Sequence, residues 1–215
     1  MRGGLPENGQ DRRERALAVM VPAEWIRRSR AGEVVYFDRI VEAYQTPMYN
    51  LCLRMLGNPS DAEDAAQEAF WRAYRGLRRY DPGRPFGTWL LAIAAHHCID
   101  LLRRRTAPLV SLDEVCSAQK LHDPRPGPEL SVERGERERA VNRCLLTLDP
   151  EDRALLIMRY WHDMSYEEIS QALSVSTGAV KSRLHRARRT LAEKWPAGDG
   201  TEDRSRRMPD AAPAF

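Results

Sequence analysis

The stretch from Ser165 to Leu191, SYEEISQALSVSTGAVKSRLHRARRTL, constrains the chain more than any other. Ser165 followed by Glu168 is a capping-box pattern, in which each side chain satisfies the other's free backbone N–H, so a helix is predicted to start there. Ile169, Leu173 and Val175 give that helix an apolar face, which ends in a short Ser-rich turn. Ser176 is a second N-cap. After it, Val180, Leu184, Ala187 and Leu191 recur at i, i+4, i+7 and i+11, one narrow stripe at about 100° per residue. The opposite face carries Gly178, Ser182, His185, Arg186 and Arg189, with Lys181 at its edge. Two short helices, a tight turn and a second helix that is apolar inside and basic outside are what reading a DNA major groove requires. The inner stripe would lock the second helix to the first, leaving hydroxyls and cations for base edges and phosphates. A plain surface helix with a solvated charged face is the competing reading. The co-occurrence of box, turn, stripe and basic face favours DNA binding.

The rest of the chain is helical in pattern, and the expected fold is all-α. Of 215 residues, 30% are charged and 7% aromatic, so two small domains are expected rather than one large core. Net charge is only +3, but acids gather around Asp61 to Glu68 and bases at Arg103 to Arg105 and along Lys181 to Arg189. That asymmetry predicts one surface for a basic protein partner and others for nucleic acid. The four cysteines, Cys52, Cys98, Cys116 and Cys144, form no CxxC pair and match neither a zinc site nor a disulfide framework. Cys52 and Cys98 stand in apolar surroundings and are expected in the core. No apolar run approaches the roughly 20 residues that span a bilayer, and the N-terminus has no signal-peptide core. A cytoplasmic protein without membrane insertion is therefore expected.

Five segments follow from composition and periodicity. Residues 1–22 are polar and aperiodic and are expected to be disordered. Residues 23–106 form the first helical domain. Trp25 to Arg30 is a short helix. Phe37, Ile40, Val41, Tyr44, Met48, Leu51, Cys52 and Met55 line a longer one, with a kink or break expected near Pro47. Gly57-Asn58-Pro59 is a stop signal. The next helix is predicted from Ser60, as N-cap, to Arg78. Its small inner face includes Ala62, Ala65, Ala66, Ala69 and Ala73, while Asp61, Asp64, Gln67, Glu68, Trp71 and Arg72 point outward. An aromatic among exposed acids suggests a protein interface; a merely solvated face is the equal alternative. The loop YDPGRP (80–85) presents Arg84, and a long helix from Phe86 to Arg105 follows. Trp89, behind a basic loop, is placed either to stack on an unpaired base or to pack in the core.

His96, His97 and Asp100 raise a metal or acid–base reading, but no third ligand of suitable type stands near and no metal is expected. Nor is a cofactor or a catalytic residue. Residues 107–130 carry Pro108, Pro124, Pro126 and Pro128 and are expected to be a flexible linker. Residues 131–195 form the second helical domain, in which Asp149-Pro150-Glu151 opens a helix supplying Leu155, Leu156, Met158, Arg159 and Tyr160–Trp161 as packing surface. Residues 196–215 are a disordered tail.

With these pieces placed, the sequence resembles the extracytoplasmic-function (ECF) sigma factors, the smallest type of the bacterial sigma-70 family. Three strings carry the resemblance. NPSDAEDAAQEAFWRAYR (58–75) is similar to the segment that grips the polymerase clamp helices. FGTWLLAIAAHHCIDLLRRR (86–105) resembles the helix that opens and reads the −10 element, and 146–191 is similar to the −35-reading domain. The resemblance implies a transcription initiation factor and no enzyme. Its partners would be core RNA polymerase (clamp helices and flap), promoter DNA and, as in many relatives, an anti-sigma factor. It makes Asp61, Glu63, Asp64, Gln67, Glu68 and Trp71 the polymerase surface. It makes Arg84, Phe86, Trp89, His96, Arg103 and Arg104 the −10 set, with Arg105 also along the promoter backbone. Ser176, Thr177, Lys181, Ser182, His185, Arg186 and Arg189 become the −35 set. The chain departs from the family pattern at Ala95-His96, where Arg-Asn is common, and near Leu91–Ala92, where a basic or aromatic residue is common. The rival reading is a helix-turn-helix regulator acting without polymerase, for which the acidic helix and the FGTW segment have no use.

Overall fold

The computed structural model describes residues 21–106 and 139–194. Among the described residues the regular structure is helical throughout. Residues 1–20, 107–138 and 195–215 lie outside them, and with them most of the expected N-terminal extension, the whole expected linker, the start of the second domain, Cys116 and the tail.

The first group comprises α1 (Ala23–Arg30), α2 (Val34–Leu56), α3 (Pro59–Gly76), a 3-10 turn (Leu77–Arg79) and α4 (Phe86–Thr106). Helix α2 runs unbroken through Pro47, so the break expected there is absent. Its buried residues Phe37, Ile40, Tyr44, Met48, Leu51, Cys52 and Met55 are those that the helical spacing selects. Tertiary packing of that full face outweighs the one backbone hydrogen bond a proline removes. Gly57 ends the helix in a left-handed conformation (φ 75°). A Cβ there would also lie 2.6 Å from the Leu146 side chain, whose end would have to shift, so a larger residue is disfavoured by both backbone and contact.

Helix α3 starts earlier than expected. Asn58, not Ser60, is the N-cap: its Oδ1 accepts from the N–H of Ser60 at 2.8 Å and of Asp61 at 3.3 Å, with Pro59 at the first helical position. Ala62, Ala65, Ala69 and Ala73 are essentially inaccessible, and these small side chains let α3 lie close on α2 and α4.

The second group comprises α5 (helical over 139–146), α6 (Pro150–Trp161), α7 (Tyr166–Leu173) and α8 (Thr177–Lys194). Asp149 caps α6 as anticipated, accepting from the Glu151 N–H at 3.0 Å. Six consecutive residues of α6, Arg153 to Met158, are buried. A helix buried on every side needs neighbours on every side. α7 and α8 supply some; α2 and α4 of the first group supply the rest, so the two groups pack against each other.

Candidate nucleic-acid and polymerase interface

The helix-turn-helix forms as the residue spacing requires. The Ser165 hydroxyl accepts from the Glu168 N–H at 3.1 Å and the Glu168 carboxylate accepts from the Ser165 N–H at 2.8 Å, completing the capping box. The turn is tied by Ser170, whose hydroxyl donates to the Val175 carbonyl at 2.6 Å, while Ser174 takes a left-handed conformation (φ 55°). Ser176 then caps α8, accepting from Ala179 N–H at 3.2 Å.

On α8, Val180, Leu184 and Ala187 are buried, and Leu191 packs against the core. Lys181, Ser182, His185, Arg186 and Arg189 are exposed, as are Gly178 and Ser176; Thr177 is half-buried. Arg186 and His185 have no side-chain partner among the described residues. Ser182 donates back to the Ala179 carbonyl at 3.1 Å, and Arg189 pairs with Glu193 at 2.9 Å, both on the helix itself. The Lys181 ammonium lies 5.7 Å from the centre of the Tyr166 ring, which aims it along the start of α7.

Sequence reasoning left Arg183 unassigned. It is held by Asp152 and Glu151, each at 2.5 Å, and stands 3.6 Å from Asp149, so its charge is spent orienting α8 on α6. The signal was present: Arg183 sits between Val180 and Leu184, at the edge of the buried stripe.

In the first group, Tyr80, Phe86 and Trp89 form an aromatic cluster with ring centres 5.0–5.4 Å apart, and Tyr44 joins it at 5.9 Å from Phe86. Phe86 is only 7% exposed, so of the expected −10 set it supports the loop from inside and does not face DNA. Trp89 is half-buried in the same cluster. The Tyr80 hydroxyl donates to the Arg84 carbonyl at 2.5 Å, and Gly83 N–H donates to Asp81 at 2.9 Å. Burial, with a smaller contribution from Tyr80, pushes the Tyr44 phenol up to about 12; burial also raises Tyr80. Both phenols therefore stay protonated at neutral pH. The loop 81–85 is thus exposed but held from beneath, with Arg84 at its tip.

His96 is exposed, with Nδ1 2.9 Å from the Ala92 carbonyl. His97 is buried; burial and the neighbouring Arg72 push its pKa down. Among the described residues no group of three His, Cys, Asp or Glu is placed to hold a metal ion. Arg103 is engaged by Glu151, Arg105 pairs with Asp61 at 2.9 Å, and Arg104 is exposed.

The face of α3 carries Glu63, Asp64 and Gln67 in the open, and Trp71 is 56% exposed, stacked on Tyr74 with centres 6.3 Å apart. The Glu68 carboxylate pairs with Arg72 at 2.7 Å, which lowers its pKa. Asp61, tied to Arg105, is the one acid of the expected set bonded to α4. An exposed indole beside free carboxylates is suited to a partner that brings cations and an apolar groove.

Two family models match: sigma-70 region 2 over residues 40–107 and sigma-70 region 4 over residues 138–191. The ECF RNA polymerase sigma factor SigW of Bacillus subtilis is 35% identical over 172 residues, 77% of this chain and 92% of that protein. The chain belongs to the ECF sigma factors. Its function is that of an RNA polymerase sigma factor, with region 2 in the first helical group and region 4 in the second. The structure is similar to that of CnrH in complex with the cytosolic domain of CnrY (TM-score 0.59, 25% identity, 79% of this chain and 94% of that one). It shares the fold of the sigma factor RpoE of Bartonella quintana, solved with the anti-sigma factor NepR (TM-score 0.56, 20% identity, 73% and 94% coverage). Among the described residues, no helix of this sigma factor is long and apolar enough to cross a membrane.

Proposed function

We propose that this sigma factor acts in the cytoplasm and adds no chemistry of its own to initiation. It joins core polymerase through the α3 face (Glu63, Asp64, Gln67, Glu68 and Trp71, with the clamp helices) and through region 4 on the flap. It sets α8 in the −35 major groove, with Lys181, Ser182 and Arg186 at base edges and His185 and Arg189 toward phosphates. The loop around Arg84, backed by Trp89, receives the melted −10 strand, where the cost of unstacking a base is offset by stacking and phosphate contacts. Two anchors on one chain gain from effective concentration, so each contact with DNA is weak alone. The complexes of its structural neighbours support a further partner, an anti-sigma factor that holds the chain inactive.

The observation that carries this reading is the division of α8, whose stripe and Arg183 are fully engaged inside while Arg186 and His185 stand exposed and unpaired outside. Run-off transcription with core polymerase and a genomic library tests it. The expected result is a discrete set of start sites absent with core alone. No association with core, or no start-site-specific transcript, refutes it.

A further inference from the structure

Helix α1 ends at Arg30, and Gly32, in a left-handed conformation (φ 98°), turns the chain toward α2. Helix α3 ends at Gly76 and passes into the 3-10 turn Leu77–Arg79. Between these two helix ends lies a cavity of about 430 Å³, partly open to solvent. Its lining is of two kinds. Arg30, Arg75 and Arg78 contribute three cations, and no carboxylate among the described residues lines it. Trp71 and Tyr74 contribute two rings from α3, stacked with an interplanar angle of 26°.

The cations are available to an anion. Arg30 donates to the Arg78 carbonyl at 3.3 Å, which ties the two helix ends together and uses one of its five donors. Arg75 and Arg78 form no ion pair among the described residues. Acids of the adjoining turns are engaged elsewhere, Glu68 by Arg72 at 2.7 Å and Glu33 by Arg28 at 3.5 Å. Ser29 also lines the cavity; it is 4% exposed, and its hydroxyl has no hydrogen-bond partner among the described residues. Arg30 and Arg75 stand in the last turns of α1 and α3, where cations suit the helix carbonyls. That role needs neither a cavity nor an aromatic wall, and it gives no place to Arg78, which lies beyond both helices.

Rings on one side and guanidinium forks on the other are complementary to a ligand with an aromatic base at one end and phosphates at the other. A base stacks on an indole whatever its sequence identity, and Trp71 is 56% exposed. A guanidinium fork meets phosphate oxygens two at a time. The volume falls within the roughly 300–1,000 Å³ of small-molecule sites.

We propose that this cavity binds a free nucleoside triphosphate, its base on Trp71 and its phosphates on Arg30, Arg75 and Arg78. Trp71 also belongs to the face assigned to core polymerase, so a bound nucleotide and core compete. That consequence alone rests on the polymerase reading above.

The test uses the full chain with Arg75→Gln, Arg78→Gln and, as a control in the same turn but outside the cavity, Arg79→Gln. All three side chains are exposed, and each variant is checked for native helicity. ATP, adenosine, inorganic triphosphate and a single-stranded hexanucleotide are titrated by calorimetry. The expected result is saturable ATP binding that falls about tenfold in Arg75→Gln and in Arg78→Gln, the worth of one charge-assisted hydrogen bond, and is unchanged in Arg79→Gln. Adenosine and triphosphate, each keeping half of the contacts, are expected to bind at least about tenfold more weakly than ATP. ATP binding that is absent, equally reduced in Arg79→Gln or matched by triphosphate overturns the site. A hexanucleotide that responds to Arg75 and Arg78 where ATP does not overturns it as well. Saturating ATP is expected to weaken association with core in the wild type and not in the Arg75→Gln, Arg78→Gln double variant. Core association indifferent to ATP bound at these arginines refutes the competition and leaves the site standing. A chain that binds ATP in this way but never core refutes the polymerase reading alone.

Discussion

Replacing Arg153 by methionine isolates the tie on which both helical groups depend. The side chain is 5% exposed, and its fork donates to three carbonyls: Leu146 at 2.8 Å, Leu148 at 3.0 Å, and Met55 across the seam. Methionine keeps most of the volume and removes every donor. Each carbonyl left without a partner costs about 1–3 kcal/mol. The low end applies, because these groups sit at helix ends where water can reach once the guanidinium is gone. Three such losses come to about 3 kcal/mol. Burial already disfavours the charged side chain, pushing its pKa down, and its Nε is unpaired, so relief of that desolvation returns about 1 kcal/mol. The net expectation is a loss of about 2 kcal/mol, or about 4–8 °C in Tm for a chain of this size. Urea denaturation followed by far-UV circular dichroism reads it directly. Arg153→Lys, with one point charge for a planar fork, is expected between the two. A loss below about 0.5 kcal/mol in Arg153→Met would refute the argument that these carbonyls depend on the guanidinium.

Arg186→Ala is expected to weaken −35 duplex binding about tenfold, within the ~1–3 kcal/mol of a base contact, and to relax preference at one base pair. A uniform loss across sequences with a salt slope reduced by about one would make it a phosphate contact, and an unchanged affinity would remove it from the reading face. Ser165→Ala breaks the capping box and is expected to cost about 1 kcal/mol; a cost near zero would show that the Glu168 half of the box suffices. Burial, then the charge of Arg54, pushes His162 down to about 4 from an ordinary 6.5, so the unfolded chain binds its proton first. The resulting stabilisation is complete above pH 6.5 and is lost as pH falls toward 4, about 2 kcal/mol for a residue that is partly exposed although its Nε2 is inaccessible. His97 contributes in the same direction. Denaturation midpoints for His162→Leu should flatten over that window, and curves parallel to wild type would remove His162 as their source.

Much of this molecule follows from short-range rules acting on the sequence. Helix periods, the Ser165–Glu168 box, the Asp149-Pro150 start, the Gly57 stop and the two faces of α8 each depend on residues within a turn or two of one another. Even the exposure of Trp71 is legible, because the alanines of α3 define its opposite side. The misplaced start of α3 is a close contest between Asn58 and Ser60, both good caps, decided by the proline between them. What local pattern does not hold is which distant surface meets which. Arg153 and Arg183 have the composition of solvated cations, and only carbonyls and carboxylates brought from elsewhere in the fold make them internal ties. Phe86 passes from candidate base contact to support because Tyr44 and Tyr80 close around it. Pro47 stays within a helix because packing outweighs one lost hydrogen bond. The apolar residues on α4 at 91, 92 and 95 are read in sequence as departures from a pattern. Contact between groups some 80 residues apart turns them into a buried seam, because burial energy depends on what covers a side chain and not on its neighbours along the chain.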